Sequence, residues 1–149
     1  MVVTADAGRP RMQRGLPDGG YRPPAKHTCD PEFKIPIRMD DEGLPGQTRI
    51  LVVQRTYHSQ IVHYSIAHQW RASPDDDWRN VFRIDTSDGS VHSHQFRQDE
   101  GPEESTGRKR LVQTLGESDG RRVVDVSYED SYDRVTQFMD EHWREWTQG

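Results

Sequence analysis

Apolar and polar residues alternate through the middle of the chain, a pattern typical of β-strands with one buried face. Residues 48–57 and 60–72 form two such runs, separated only by His58 and Ser59. In the second run, the residues of one face are mostly apolar: Val62, Tyr64, Ile66, His68 and Trp70. The pattern predicts two consecutive antiparallel strands with a common buried face, on which His68 is a buried, hydrogen-bonded histidine.

A strong turn signal comes next. Asp88 and Gly89 lie between two further β-type runs, residues 78–86 and 90–96. The dipeptide Asp-Gly is typical of a two-residue type I′ loop, because both positions of that loop have positive φ angles. We therefore expect a β-hairpin centred on this dipeptide.

The length of the loop determines which residues of the hairpin face each other. With a two-residue loop, Asp85 lies opposite His92 and Arg83 lies opposite His94, and opposed residues share one face of the sheet. The other face holds the residues expected to enter the core: Trp78, Phe82, Ile84, Thr86, Val91 and Ser93. The sequence thus predicts a polar group of four side chains on the face away from the core.

The end of the chain has the 3-and-4 spacing of an amphipathic helix. Ser127 is the expected N-cap, with Asp130 three residues further on. The apolar stripe consists of Tyr128, Tyr132, Val135, Phe138, Met139, His142, Trp143 and Trp146. We interpret the stripe as a core-facing surface and the acidic residues between its members as a solvated face.

The rest of the chain sets the domain organisation. Residues 1–46 are rich in Pro, Gly and Arg and predict a flexible leader, which could contact RNA or a partner. Within them, residues 31–39 form a possible edge strand, because Pro36 cannot donate a ladder hydrogen bond. A short strand is also expected at residues 110–115. We therefore expect a single α+β domain over residues 47–149, with an antiparallel sheet of four to five strands and the C-terminal helix packed on one face.

Composition narrows the classes of protein that are compatible with this chain. The net charge of −5 argues against a polybasic nucleic-acid or membrane protein, although it leaves room for a local basic site. Cys29 is the only cysteine, so neither an internal disulfide nor a structural zinc-cysteine site is expected. No apolar run approaches the roughly 20 residues of a membrane span, and the first residues lack a signal core. We expect a cytoplasmic protein with no membrane partner.

The four polar residues of the hairpin could carry chemistry. A carboxylate such as Asp85 raises the pKa of a neighbouring imidazole, whereas a guanidinium such as Arg83 lowers it. His92 and His94 would then form an acid–base pair, with Arg83 available for a phosphoryl group. Such a set suits RNA cleavage without a cofactor.

Two other interpretations of the same residues remain open. His92, His94 and Asp85 could bind a divalent metal such as Zn²⁺ or Mn²⁺, because imidazole and carboxylate are ligands of both. Alternatively, Asp85 with His92 and Arg83 with His94 are cross-strand polar pairs on a solvated sheet face and have no chemical role.

The segment from Arg49 to Trp146 resembles an uncharacterised small-domain family common in actinobacteria, which has a strand meander, a W-x-x-V-x-R-[YI]-D-T…G-x-x-H segment and a closing acidic, aromatic helix. The matching residues here are Trp78, Val81, Arg83, Ile84, Asp85, Thr86, Gly89 and His92. The outline is also similar to TumE-type toxins of bacterial toxin–antitoxin pairs, with Asp85 and the His92-x-His94 pair matching that pattern.

The resemblance to toxins implies a function and a partner. It implies a toxin-like ribonuclease in which Asp85 orients His92, His94 is the second proton carrier and Arg83 binds the scissile phosphate, with an antitoxin as protein partner and RNA as substrate. The rival hypothesis is a non-catalytic interaction domain that binds a protein partner through its sheet edge or leader.

Overall fold

The computed structural model describes residues 19–40, 45–100 and 108–148. It contains one open six-stranded antiparallel sheet and two C-terminal helices, which confirms the expected α+β class and raises the expected strand count to six. The strands follow one another in chain order: β1 (Phe33–Arg38), β2 (Gln47–Tyr57), β3 (Gln60–Arg71), β4 (Arg79–Asp85), β5 (Ser90–Gln95) and β6 (Arg108–Thr114). Each strand pairs with the next, so β1 and β6 are the two edges.

The folded part of the chain begins before the boundary expected at residue 47. Strand β1 pairs with β2 along its whole length, and Pro36 is tolerated there because β1 is an edge strand. Tyr21 is buried in the core, and its hydroxyl donates a hydrogen bond to the carbonyl of Val62 (2.7 Å). The expected leader over residues 1–46 therefore contains part of the domain, while residues 1–18 and 41–44 lie outside the described residues.

Two helices, α1 (Gly120–Gln137) and α2 (Met139–Gln148), replace the single helix expected from the sequence. The expected N-cap at Ser127 is wrong: the N-cap of α1 is Asp119, eight residues earlier, and the Ser127 hydroxyl donates to the carbonyl of Val124 within the helix. At the start of the helix Gly120 packs closely on Tyr21, since a Cβ at this position would lie 2.3 Å from the ring. This contact joins distant parts of the chain and has no local sequence signal.

The core lies between one face of the sheet and the two helices. The main cluster joins apolar residues of the central strands to α1: Tyr21, Ile50, Val52, Tyr64, Ile66, Phe82, Ile84, Val91, Leu115, Val124 and Val135. In a smaller cluster, Trp146 of α2 packs with Val81 and Phe96 of the sheet region. The predicted aromatic stripe is therefore largely core-facing, with Phe138 as an exposed exception.

His68 is fully buried on the helix side of β3, as expected, but the expected hydrogen bonds are not found. Neither of its ring nitrogens has a partner among the described residues. Burial, and secondarily the nearby His142, lowers the pKa of His68 to about 3. His68 therefore stays neutral in the folded protein at physiological pH, and its unpaired nitrogens carry a desolvation cost.

Candidate functional site in the central hairpin

The hairpin has the turn that the sequence predicts. Asp88 (φ 60°) and Gly89 (φ 71°) both have positive φ angles, and the N–H of Ser90 donates to the carbonyl of Ser87. The pairing of β4 with β5 follows from this turn: Asp85 lies opposite His92, and Arg83 opposite His94. The predicted register is confirmed, so the four polar side chains share the sheet face opposite the helices.

Asp85 is the centre of the polar group and is 5% exposed. One carboxylate oxygen, Oδ2, accepts a hydrogen bond from Arg83 Nε at 2.8 Å. The other, Oδ1, lies 2.8 Å from His92 Nε2 and accepts from the N–H and hydroxyl of Ser87 at 3.1 and 2.7 Å. Burial by itself raises the pKa of Asp85, but the hydrogen bonds from His92 and Ser87 and the charge of Arg83 outweigh it and hold the pKa well below its usual range. Asp85 is therefore an ionised carboxylate at physiological pH, even though it is buried.

His92 is fully buried between Asp85 and Ser90. Its Nε2 lies 2.8 Å from Asp85, and its Nδ1 lies 3.1 Å from the Ser90 hydroxyl. Strands β4 and β6 flank it on both sides, which explains why its ring has no exposed surface. Although His92 lies on the predicted polar face, its ring is not accessible to solvent, so His92 cannot touch a ligand directly in this conformation.

His94 and Arg83 form the accessible part of the group. Their side chains are 12% and 24% exposed, and His94 Nε2 lies 3.8 Å from Asp85 Oδ2. Both contact Phe96: the His94 ring stacks at 5.8 Å and the guanidinium lies 5.5 Å from the ring centre. Burial, then the charge of Arg83, lowers the pKa of His94 to about 4. His94 is therefore a neutral imidazole with an exposed edge, beside a fixed positive charge.

Three of these residues could hold a metal ion. Asp85, His92 and His94 each offer a ligand atom, and these atoms lie within 4.8 Å of one another. However, both oxygens of Asp85 already accept hydrogen bonds, from Arg83 on one side and Ser87 on the other. A divalent ion would share the carboxylate with these donors and would lie close to the guanidinium of Arg83, whose positive charge opposes it.

The sheet face around this group is basic. Asp85 is the only acidic residue in the six strands. Residues that pair directly across neighbouring strands lie on the same face of the sheet, so the strand registers identify the basic side chains on the face of Asp85. There are seven: Lys34, Arg38, Arg49, Arg55, Arg71, Arg83 and Lys109. The helices on the other side carry seven acidic residues against four arginines. Four of the seven basic side chains form ion pairs, Arg38 with Asp40, Arg55 with Glu32, Arg83 with Asp85 and Lys109 with Asp88. Lys34, Arg49 and Arg71 are left without an ion pair among the described residues, so this face keeps a positive excess.

The position of Trp78 differs from the prediction. Sequence alternation placed it on the core face, but its ring lies against Arg49 and Arg71 on the basic face. A β-bulge between β3 and β4 adds one residue at Val81 and reverses the alternation for the residues before it. The sequence therefore did not predict this arginine–tryptophan cluster, because the β-bulge that produces it has no clear sequence signal.

The four remaining histidines lie elsewhere in the domain. His27 and His58 are exposed. His63 and His142 do have partners: His63 Nδ1 lies 2.9 Å from the Thr86 hydroxyl, and His142 stacks on Phe82 at 3.6 Å. None of the four belongs to the polar group around Asp85.

Comparison with known proteins provides no further assignment, because no family model, curated protein or solved structure matches the chain. Among the described residues, no helix is both long enough and apolar enough to cross a bilayer.

Proposed function

We propose that the domain binds single-stranded RNA on the basic sheet face and cleaves it at His94 and Arg83 without a metal ion. The observation that carries the proposal is the convergence of a neutral imidazole and a fixed guanidinium, both partly exposed, on the face that collects seven basic side chains. A basic face on an acidic protein attracts a polyanion to one side of the molecule only.

The chemistry is transfer of the phosphodiester to the neighbouring 2′-oxygen. His94 Nε2 accepts the proton of the 2′-hydroxyl, the 2′-oxygen bonds to phosphorus, and the bond to the 5′-oxygen breaks. Lys109 pairs with His94 in the strand register and its Nζ lies 3.2 Å from Asp88; in this proposal it leaves that exposed ion pair and donates a proton to the departing 5′-oxygen. Arg83 stabilises the charge that develops on the phosphoryl oxygens. The products are a 2′,3′-cyclic phosphate and a 5′-hydroxyl.

The low pKa of His94 bears directly on this chemistry. It keeps the ring unprotonated at neutral pH and able to accept a proton, but a pKa near 4 gives a weak base. The negative charge of a bound phosphate opposes the effect of Arg83 and raises the pKa of His94 towards neutrality.

Asp85 and His92 act as positioning residues in this proposal. Asp85 holds the guanidinium of Arg83 through Nε, and His92 supports the other carboxylate oxygen from the interior. This changes the role that the sequence suggested for His92, from proton carrier to support of the carboxylate. Rigid support of this kind matters because catalytic groups need to be held within fractions of an ångström.

Purified protein should cleave an end-labelled single-stranded RNA in the presence of EDTA. His94→Gln should lower the rate at least about 100-fold, since general-base catalysis contributes on that order. His27→Gln is the matched control, because His27 is exposed and lies outside the site. The proposal is wrong if wild-type protein leaves the RNA intact, or if both variants cleave it equally well.

The toxin-like role is a further part of the proposal and is supported by the resemblance to TumE-type toxins. Induced expression of the wild-type chain should slow bacterial growth, and the double substitution His92→Ala with His94→Ala should relieve the effect. Growth arrest that persists in a soluble double variant would separate toxicity from this site.

Metal binding is the second candidate, and the convergence of three ligand atoms within 4.8 Å favours it. Titration calorimetry with Zn²⁺ and Mn²⁺ tests it directly, with His94→Gln as the comparison. Stoichiometric binding that depends on His94, with RNA cleavage abolished by EDTA, would replace the metal-independent mechanism.

A further inference from the structure

Three arginines surround Trp78 on the basic face. The guanidinium carbons of Arg49 and Arg71 each lie 4.3 Å from the centre of the Trp78 ring, and that of Arg38 lies 5.9 Å away. Guanidinium groups pack favourably on indole rings, so the tryptophan holds the neighbouring arginines close together.

Two of these arginines are held in the same way. Arg49 Nε donates to the side-chain oxygen of Gln69 at 2.8 Å, and Arg71 Nε donates to that of Gln47 at 2.7 Å. Among the described residues, no hydrogen-bond partner is found for the terminal Nη groups of either arginine. Each guanidinium is therefore oriented by a neutral residue and keeps donors available for a ligand.

The cluster is only partly neutralised in the described part of the chain, where Asp40 is the carboxylate close to it. Asp40 pairs with Arg38, but no carboxylate lies within 4.0 Å of Arg49 or Arg71 there. Burial, then the charges of Arg71 and Arg38, lowers the pKa of Arg49. Like charges held together in this way repel one another, and a bound anion would relieve the repulsion.

We propose that Arg49 and Arg71, with Arg38 beside them, bind a backbone phosphate of single-stranded nucleic acid. Both lie on the same face as Arg83. By strand spacing Arg49 is roughly 12 Å from it, two strand intervals across and two residues along, and Arg71 is roughly 14 Å from it, one strand interval across and four residues along. Single-strand-binding domains cover about 4–16 nucleotides, so one strand can contact both places. The series of basic side chains across the face suits a polymer with regularly spaced charges better than a single carboxylate. The nature of the ligand rests on the proposed function, whereas the anion site rests on the arginine geometry.

The test is binding of a fluorescein-labelled 2′-O-methyl RNA 12-mer, measured by anisotropy over a series of salt concentrations. This probe lacks the attacking 2′-hydroxyl, so binding is separated from cleavage. The double variant Arg49→Gln with Arg71→Gln should bind about tenfold more weakly or worse at low salt. The slope of log K against log salt should become shallower by about 0.7, since the two arginines hold one phosphate and each phosphate contact on a single strand contributes about 0.7.

Two further variants make the result specific. Arg122→Gln with Arg134→Gln removes the same charge from α1, on the other side of the molecule, and should reduce affinity less than about threefold. Arg49→Lys with Arg71→Lys keeps the charge but loses the planar donors, so it should retain most of the salt slope and lose part of the affinity. The lysine variant also keeps the test valid if the glutamine variant is poorly folded.

Each remaining outcome decides against the proposal. Equal binding by wild type and the Arg49/Arg71 variants overturns the subsite, as does an equal loss in the α1 control. An acidic peptide that displaces the RNA at comparable concentration would assign the cluster to a protein partner instead.

Failure of this inference can be distinguished from failure of the proposed chemistry. If the 12-mer binds through Arg49 and Arg71 but wild-type protein cleaves no RNA, the subsite stands and the chemistry fails. If His94-dependent cleavage is found while the arginine variants bind normally, the chemistry stands and the subsite fails.

Discussion

Replacement of Asp85 by asparagine tests the polar group at its centre. The substitution keeps the size of the side chain and removes the charge that faces Arg83. It also replaces one of the two acceptor oxygens with an amide nitrogen, which cannot accept a hydrogen bond. Depending on the orientation of the amide, the lost acceptor is the one for Arg83 Nε or the one for Ser87 and His92. The variant therefore leaves a partly buried guanidinium without its counter-charge.

The expected cost follows from the burial and the number of bonds. Hydrogen bonds to charged groups contribute about 1.5–3 kcal/mol each, and breaking a buried ion pair costs about 3–5 kcal/mol. Asparagine still accepts through one oxygen and Arg83 is 24% exposed, so part of this cost is recovered through solvent. We expect the free energy of unfolding to fall by about 2–4 kcal/mol, a large part of the stability of a small domain.

Equilibrium urea denaturation at pH 7.5, followed by far-UV circular dichroism, measures the effect. Asp88→Asn is the matched control, because Asp88 belongs to the same hairpin and its side chain is 70% exposed. The control should change stability by less than about 0.5 kcal/mol, since asparagine tolerates the positive φ of this position. A loss below about 1 kcal/mol for Asp85→Asn, or equal losses for both variants, would refute the assigned role of the carboxylate.

Three further measurements test other features. His68→Leu should raise the free energy of unfolding by about 1–2 kcal/mol, because it removes a buried ring with unpaired nitrogens; a fall in Tm would contradict this. The pKa values of His68, His94 and His142 are lowered to about 3, 4 and 4, while unfolded histidine titrates near pH 6.5. The unfolded chain therefore binds more protons below pH 6.5, so stability should be full above that pH and decrease towards pH 4; urea midpoints that agree at pH 7.5 and pH 5 would exclude the effect. Gly120→Ala should cost about 1–3 kcal/mol, since its Cβ would lie 2.3 Å from the Tyr21 ring, and unchanged thermal stability would show that this contact is not needed.

The hairpin register could be predicted because a single local feature determines it. Positive φ angles at Asp88 and Gly89 define a two-residue loop, and strand alternation then places Asp85 opposite His92. The class of the fold follows in the same way from the alternation of the strands and the spacing of the final helices.

The features that could not be predicted depend on long-range contacts. The β-bulge at Val81 moves Trp78 to the basic face, and at the start of α1 Gly120 packs closely on Tyr21, which is about 100 residues away in the chain. The burial of His92 depends on β6, which pairs with β5 on its second side. The collection of arginines on one face emerges only when the registers of all six strands are known.

The most direct test of the central claim is the chemical form of the RNA ends after reaction with purified protein in EDTA. Mass spectrometry of a short single-stranded RNA should show 2′,3′-cyclic phosphate and 5′-hydroxyl ends, produced by wild-type protein and by His27→Gln and lost in His94→Gln. Intact RNA, ends with a 5′-phosphate, or cleavage that needs an added divalent metal would contradict a metal-independent reaction at His94 and Arg83.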